Sequence, residues 1–405
     1  MKDLTQGSPI KLILLFAIPL LIGNIFQQIY VTIDMMIIGQ TLGTYALAAV
    51  GATMSVNFLI VGFGMGTTSG LSIVIAQRFG AKDYAGVKRS FATSIVISVV
   101  VAIFLTILSL ILVEPILRLM QTPEAIFNQA QAFVSVLFMG IIATILFTLM
   151  VNVLRALGDS KKPLIFFVIT SVVNIILVFL FIRGFGMGVQ GASLATVLSH
   201  LTAALCALIY IYRYIPPLQI SLKDFKAINR LEIVAHTKLA FPMAIQLTII
   251  SIGAVVLQIA VNSLGTDAVA ASAAGMRIDQ FAILPMVSFG GTMVTFVAQN
   301  YGAKQYGRII QGIRQALCVV VGFGAVVGLL VNLFGQNIAG LFINEHNPQI
   351  FANVQTYFNV NASMYFVLAT VFILRYALQG LGQTVVPTIA GFMELGGRVL
   401  GALVL

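Results

Sequence analysis

The sequence predicts an all-α polytopic membrane protein built from two parallel six-helix repeats. Three observations carry that expectation. First, 60% of the 405 residues are hydrophobic and only 8% are charged, with a mean hydropathy of +1.05. A soluble domain of that composition would have a largely apolar surface. Second, apolar windows of about 20 residues, the length that crosses a bilayer, recur along the whole chain. Third, the same landmarks return in the same order at a nearly constant spacing.

Taken in order, the predicted spans are 11–38, 46–75, 90–113, 131–157, 163–182, 188–213, 237–263, 268–297, 312–334, 355–381 and 385–405. Gly and Pro inside several of them are compatible with membrane helices whose neighbours satisfy the freed backbone groups. Gly62, Gly64 and Gly66 lie inside the second span and read as close helix packing, not as a nucleotide loop. The short N-terminal stretch leads straight into the first span without a small-residue cleavage site, so it reads as a cytoplasmic tail. Eighteen of the 22 Lys and Arg fall on one side, in the alternate loops and helix ends around Lys2, Arg78, Lys82, Arg155, Lys161, Arg213, Lys223, Lys304 and Arg375. The positive-inside rule puts that side, and the N-terminus, in the cytoplasm. The net charge of +10 is therefore topology and not a nucleic-acid footprint. Cys206 and Cys318 sit alone in distant apolar segments and are expected as two buried thiols.

The repeat is clearest in the loops. Ala76–Tyr84 (AQRFGAKDY) and Ala298–Tyr306 (AQNYGAKQY) share six residues in nine at an offset of 222. Gly43-Thr44 and Gly265-Thr266 share that offset. Pro19 pairs with Pro242 at 223, Leu157-Gly158 with Leu381-Gly382 and Pro163 with Pro387 at 224, and Pro123 with Pro348 at 225. Each copy starts on the same side, so the repeats are related by an axis along the membrane normal. The expected division is residues 1–213, a polar cytoplasmic linker 214–236, and residues 237–405. Eleven spans against two six-helix copies leave an expected twelfth helix missing from this sequence.

The first span carries the most informative stripe. Asn24, Gln27, Gln28, Val31 and Asp34 lie at i, i+3, i+4, i+7 and i+10 of a helix. A carboxylate at bilayer depth is costly, so Asp34 is expected to face a wet cavity or a partner. Pro19, fifteen residues upstream, removes a backbone hydrogen bond and favours a bend. In a partly dry cavity Asp34 must be neutralised by a proton or by a cation. The two then compete for one anion, the minimum an antiporter needs.

Two six-helix halves, the polar first helix with IDMMIIG around Asp34, and the paired AQ-x-x-GAK loops together resemble the multidrug and toxin extrusion (MATE) family. The resemblance covers essentially the whole chain. It implies a V-shaped, inner-membrane antiporter expelling amphipathic cations in exchange for H⁺ or Na⁺, with Asp34 as the cation-binding centre of the N-terminal half. Similar members add an Asn, an acid four residues later and a Thr. Asn174 and Thr196 match the Asn and the Thr, while Val178 occupies the acid's position. The Glu that other members carry early in helix seven is absent around Ile250 and Ser251.

Beside the resemblance, Asn174 and Thr196 also read as ordinary helix–helix contacts. In the second half Arg277, Asp279, Glu394 and Arg398 form a second candidate group, read chiefly as a structural ion-pair network, with Glu394 and Arg398 paired at i, i+4. Gln246, Ser251, Gln258 and Asn262 are expected along the central cavity. No catalytic constellation, metal-ligand spacing or nucleotide loop is visible, which argues against an enzyme or a cofactor. The expected partners are small amphipathic cations and the bilayer, acting on a monomer. The rival reading is a flippase for a lipid-linked oligosaccharide or peptidoglycan precursor, whose anionic phosphates would call for cavity cations.

Overall fold

The computed structural model describes residues 3–340 and 348–404. Among them the chain is helical, with no strand. Its α-helices are α1 (Pro9–Leu42), α2 (Thr44–Gly80), α3 (Tyr84–Leu119), α4 (Glu124–Met139), α5 (Ile141–Ala156), α6 (Lys161–Phe179), α7 (Gly188–Tyr214), α8 (Leu222–Lys226), α9 (Arg230–Ser263), α10 (Thr266–Gly302), α11 (Tyr306–Ala339), α12 (Pro348–Asn361), α13 (Tyr365–Gly380) and α14 (Val385–Val404). Among the described residues nine helices are long and apolar enough to cross a membrane, and the bent pair α4–α5 makes a tenth. The eleventh predicted span coincides with the 20-residue α14.

Several details differ from the sequence expectation. The span predicted at 131–157 breaks at Gly140 into two helices at 51°. The break brings the backbone against α7, where a Cβ on Gly140 would lie 2.2 Å from Val197. Within residues 214–236, α9 begins at Arg230, with Asn229 accepting from the Glu232 amide at 2.9 Å as its N-cap. Arg375, counted among the loop charges, lies inside α13. Both cysteines are free as expected, but neither is fully buried: Cys206 is half-buried and Cys318 exposed. The α1 helix runs unbroken through Pro19. The glycines of α2 are packing positions as expected: a Cβ on Gly66 would lie 2.5 Å from the Met243 carbonyl oxygen of α9.

The repeated landmarks also share backbone conformation. Gly43 and Gly265 have φ of 84° and 94°, Lys82 and Lys304 both 58°, and Gly158 and Gly382 80° and 83°. At the repeated AQ-x-x-GAK loops the ends of α2 and α10 cross reciprocally. A Cβ on Gly80 would fall 1.9 Å from the Gln299 carbonyl oxygen, and one on Gly302 1.8 Å from that of Gln77. Only glycine permits such an approach. The two glutamines complete the crossing: Gln77 Nε2 donates to the Gly380 carbonyl at 3.0 Å, and Gln299 Nε2 to that of Ala156 at 2.8 Å.

Two straps are gripped beside this crossing. The segment before α1 pairs with Gln299, Asn300 and Arg308. Leu4 N donates to Gln299 at 3.0 Å, and Arg308 donates to the carbonyls of Leu4 and Gly7 at 3.1 and 2.6 Å. The start of α9 is held by Arg78, which reaches Glu232 at 2.9 Å and the Gly86 carbonyl at 2.9 Å. The apolar packing follows the same exchange. Ile13, Phe16 and Leu20 of α1 join the core of α10–α13, whereas Leu239, Ala240 and Met243 of α9 join that of α2, α3 and α5. Glu232 is buried, so Glu232→Ala leaves Arg78 without its anion. Because Arg78 stays partly wetted, the expected loss is about 2 kcal/mol, read as a lower melting temperature in detergent.

Candidate functional site

The site is built on α1, α6 and α7. Tyr30 and Asp34 are one turn apart on α1 and share a face. The hub is Thr196 on α7. Its hydroxyl donates to the Ala192 carbonyl at 3.2 Å, and its oxygen accepts from Tyr30 at 3.4 Å and from Asn174 Nδ2 at 3.3 Å. The carbonyl oxygen of the Asn174 side chain and Oδ1 of Asp34 are both buried without a hydrogen-bond partner among the described residues. Two oxygens with unused lone pairs can accept a proton or help to coordinate a cation. Among the described residues no group of three or more His, Cys, Asp and Glu could hold a metal ion.

The sequence stripe divides into two. Asn24 turns to α10 and donates to Ser288 at 3.0 Å, Gln28 approaches Gln280 at 3.5 Å, and Gln27 is exposed. Asn174 bonds to Thr196, and on α1 it is Tyr30, one turn before Asp34, that reaches the same hydroxyl; Asp34 itself bonds to neither. Tyr30 was missed; its i, i+4 relation to Asp34 was the available signal. Val178, one turn after Asn174, is fully buried in an apolar cluster with Ile37 and Ile38, so the position where the resemblance implied an acid is apolar here. Thr196→Val should leave the Tyr30 hydroxyl and the Asn174 amide unpaired. A melting temperature lowered by the equivalent of about 1–3 kcal/mol is the expected result.

The second candidate group is two clusters and not one network. Asp279 makes no ion pair among the described residues; it accepts from the hydroxyls of Tyr357, at 2.5 Å, and Tyr365, with Asn361 Nδ2 at 3.5 Å. Arg277 is exposed and forms no ion pair among the described residues. Glu394 pairs with Arg398 at 2.7 Å, as the i, i+4 spacing predicts, and also with Arg375 at 3.0 Å. On α9, Gln246 is buried against Gln379 at 2.9 Å, and Ser251 turns its hydroxyl back to the Leu247 carbonyl. Gln258 and Asn262 are exposed and bond to each other at 2.8 Å.

Long apolar helices that enclose buried, unpaired polar oxygens at membrane depth define an integral membrane transporter. The MatE family profile matches residues 19–180 and 242–402, and the chain belongs to this family of multidrug efflux transporters. The probable multidrug resistance protein YoeA of Bacillus subtilis is 28% identical over 389 residues, covering 95% of this chain and 84% of the relative. The FAD transporter of Shewanella oneidensis is 27% identical over 382 residues, covering 92% and 82%. A solved structure described as an outward-facing conformation of a multidrug resistance MATE family transporter of the MOP superfamily superposes with a TM-score of 0.86 at 24% identity. It covers 99% of this chain and 88% of that one. The chain is accordingly a multi-pass bacterial membrane protein that moves small molecules and is not an enzyme.

Proposed function

We propose that the protein is a secondary active antiporter that exports amphipathic cations in exchange for H⁺ or Na⁺, with Asp34 as the coupling carboxylate. The observation that carries this reading is the buried Oδ1 of Asp34, without a hydrogen-bond partner among the described residues, on a helix packed against α6, whose Asn174 oxygen is equally unpartnered. A buried carboxylate must be neutralised, and a proton, a sodium ion or a substrate cation can each do so, but not two at once. Loading one releases another. With the acid's position taken by Val178, one carboxylate serves this group, which favours H⁺ over a fully coordinated Na⁺.

Two parallel repeats, 1–213 and 237–405, rocking about the crossing of α2 and α10 would give alternating access. The recurring backbone angles and the reciprocal glutamine bonds support that division. The basic side, with the N-terminus, is assigned to the cytoplasm, and the protein is taken to act as a monomer.

The test is uptake of a fluorescent lipophilic cation into everted membrane vesicles under separately imposed pH and Na⁺ gradients. Uptake driven by one gradient supports the reading and identifies the ion; no uptake under either one ends it. A second reading, transport of an anionic molecule, is favoured by the surplus of guanidinium over carboxylate around Glu394 and by the relative named as an FAD transporter.

A further inference from the structure

The offsets that align the repeated landmarks also align the side chains of the site. The spacing of Pro19 and Pro242 places Gly253 opposite Tyr30 and Leu257 opposite Asp34, and that of Pro163 and Pro387 places Glu394 opposite Thr170 and Arg398 opposite Asn174. The second copy therefore has no acid where the first has Asp34. It has instead a guanidinium where the first has Asn174, and the space that Tyr30 fills is left to it. Arg398 lies so close over Gly253 that a Cβ there would meet Nη1 at 3.2 Å.

Charge bookkeeping gives this place its chemistry. Arg375 and Arg398 share the one carboxylate of Glu394, each using a single Nη2 contact. Among the described residues one positive charge is left over, and Nε of Arg375 is buried without a hydrogen-bond partner there. Unused guanidinium donors in a fixed fork match the oxygens of a carboxylate or phosphate.

We propose that Arg375, Glu394 and Arg398 form an anion subsite that takes a carboxylate or phosphate group of the transported molecule, so that the two halves carry subsites of opposite sign. Glu394 acts there as a built-in competitor, occupying both guanidiniums until an anion displaces it. The inference rests on the exporter reading only in taking the occupant to be the transported molecule.

The experiment measures binding of carboxyfluorescein, and separately of tetraphenylphosphonium, to the purified full chain in phosphatidylcholine nanodiscs. Arg398→Gln and Arg375→Gln are expected to weaken carboxyfluorescein about tenfold or more and to leave tetraphenylphosphonium unchanged, which also reports that each variant is folded. Glu394→Gln, by freeing both guanidiniums, is expected to tighten carboxyfluorescein. A purely structural ion network predicts the opposite, since removing any member would weaken binding alike. The proposal is overturned if the wild type does not bind carboxyfluorescein, if Glu394→Gln weakens it, or if phosphatidylglycerol added to the discs abolishes binding and so identifies a lipid headgroup site. Loss of tetraphenylphosphonium binding by the wild type would count against the cation-exporter reading and leave the carboxyfluorescein result to stand alone.

Discussion

Asp34→Asn is expected to abolish gradient-driven export while leaving the fold in place. Asn keeps the shape of the side chain and removes the charge. Oδ1 of Asp34 has no partner to lose, so the substitution breaks no ion pair, and removing an uncompensated buried charge is neutral or stabilising. The functional cost is of another kind. With a permanently neutral side chain, proton and cation no longer compete, and the coupling between them disappears. Coupling of this sort is typically worth about 1–3 kcal/mol, so gradient-driven flux should fall by about 5- to 150-fold toward the leak of empty vesicles. The check is the vesicle assay under the gradient that drives the wild type, with melting temperature as the control. A mutant that pumps like the wild type would remove Asp34 from the mechanism and make the tyrosine-held Asp279 the next carboxylate to test.

The second large effect belongs to the crossing of α2 and α10. Gly302→Ala adds a single carbon, and that carbon would sit 1.8 Å from the Gln77 carbonyl oxygen. The obstacle is backbone, so no rotamer change relieves it, and the helices must separate. Separation also stretches the buried bonds from Gln77 to Gly380 and from Gln299 to Ala156. Overpacking alone costs about 1–3 kcal/mol, and the lost hydrogen bonds add to it. The expected result is a melting temperature several degrees lower. Gly80→Ala should do the same, and the double mutant should lose less than the sum of the two, because one separation relieves both clashes. Strict additivity would mean that the two contacts are independent.

Much of this fold was legible because the bilayer makes strong demands on sequence. Apolar length fixed the spans, and the AQ-x-x-GAK pair pointed to a recurrence that the angles at Lys82 and Lys304 carry into the backbone. The break at Gly140 was hidden, because hydropathy over 131–157 is continuous and the cause lies at Val197, far along the chain. At the site, Asp34, Asn174 and Thr196 were named in advance, since polar atoms in apolar runs are conspicuous. Their connection through Tyr30 was not, because a tyrosine in a membrane helix carries no contrast against its surroundings. The four-residue ion network failed for a related reason. Charge counting in sequence cannot see neutral partners, and Asp279 is satisfied by two tyrosine hydroxyls. Glu394 then had room for Arg375, a residue that the loop pattern had claimed.

The gripped straps bear on how the chain is ordered. Leu4 to Gly7 lead into α1 yet are held by Gln299, Asn300 and Arg308 near the end of α10 and the start of α11. Asn229 to Glu232 lead into α9 yet are held by Arg78 at the end of α2. Each part of the molecule thus keeps the receptor for the other's leading end, like two hands each clasping the opposite wrist. The polypeptide between Gln219 and Asn229 supplies nearness, while the address that fixes which end goes where is written in the grips themselves.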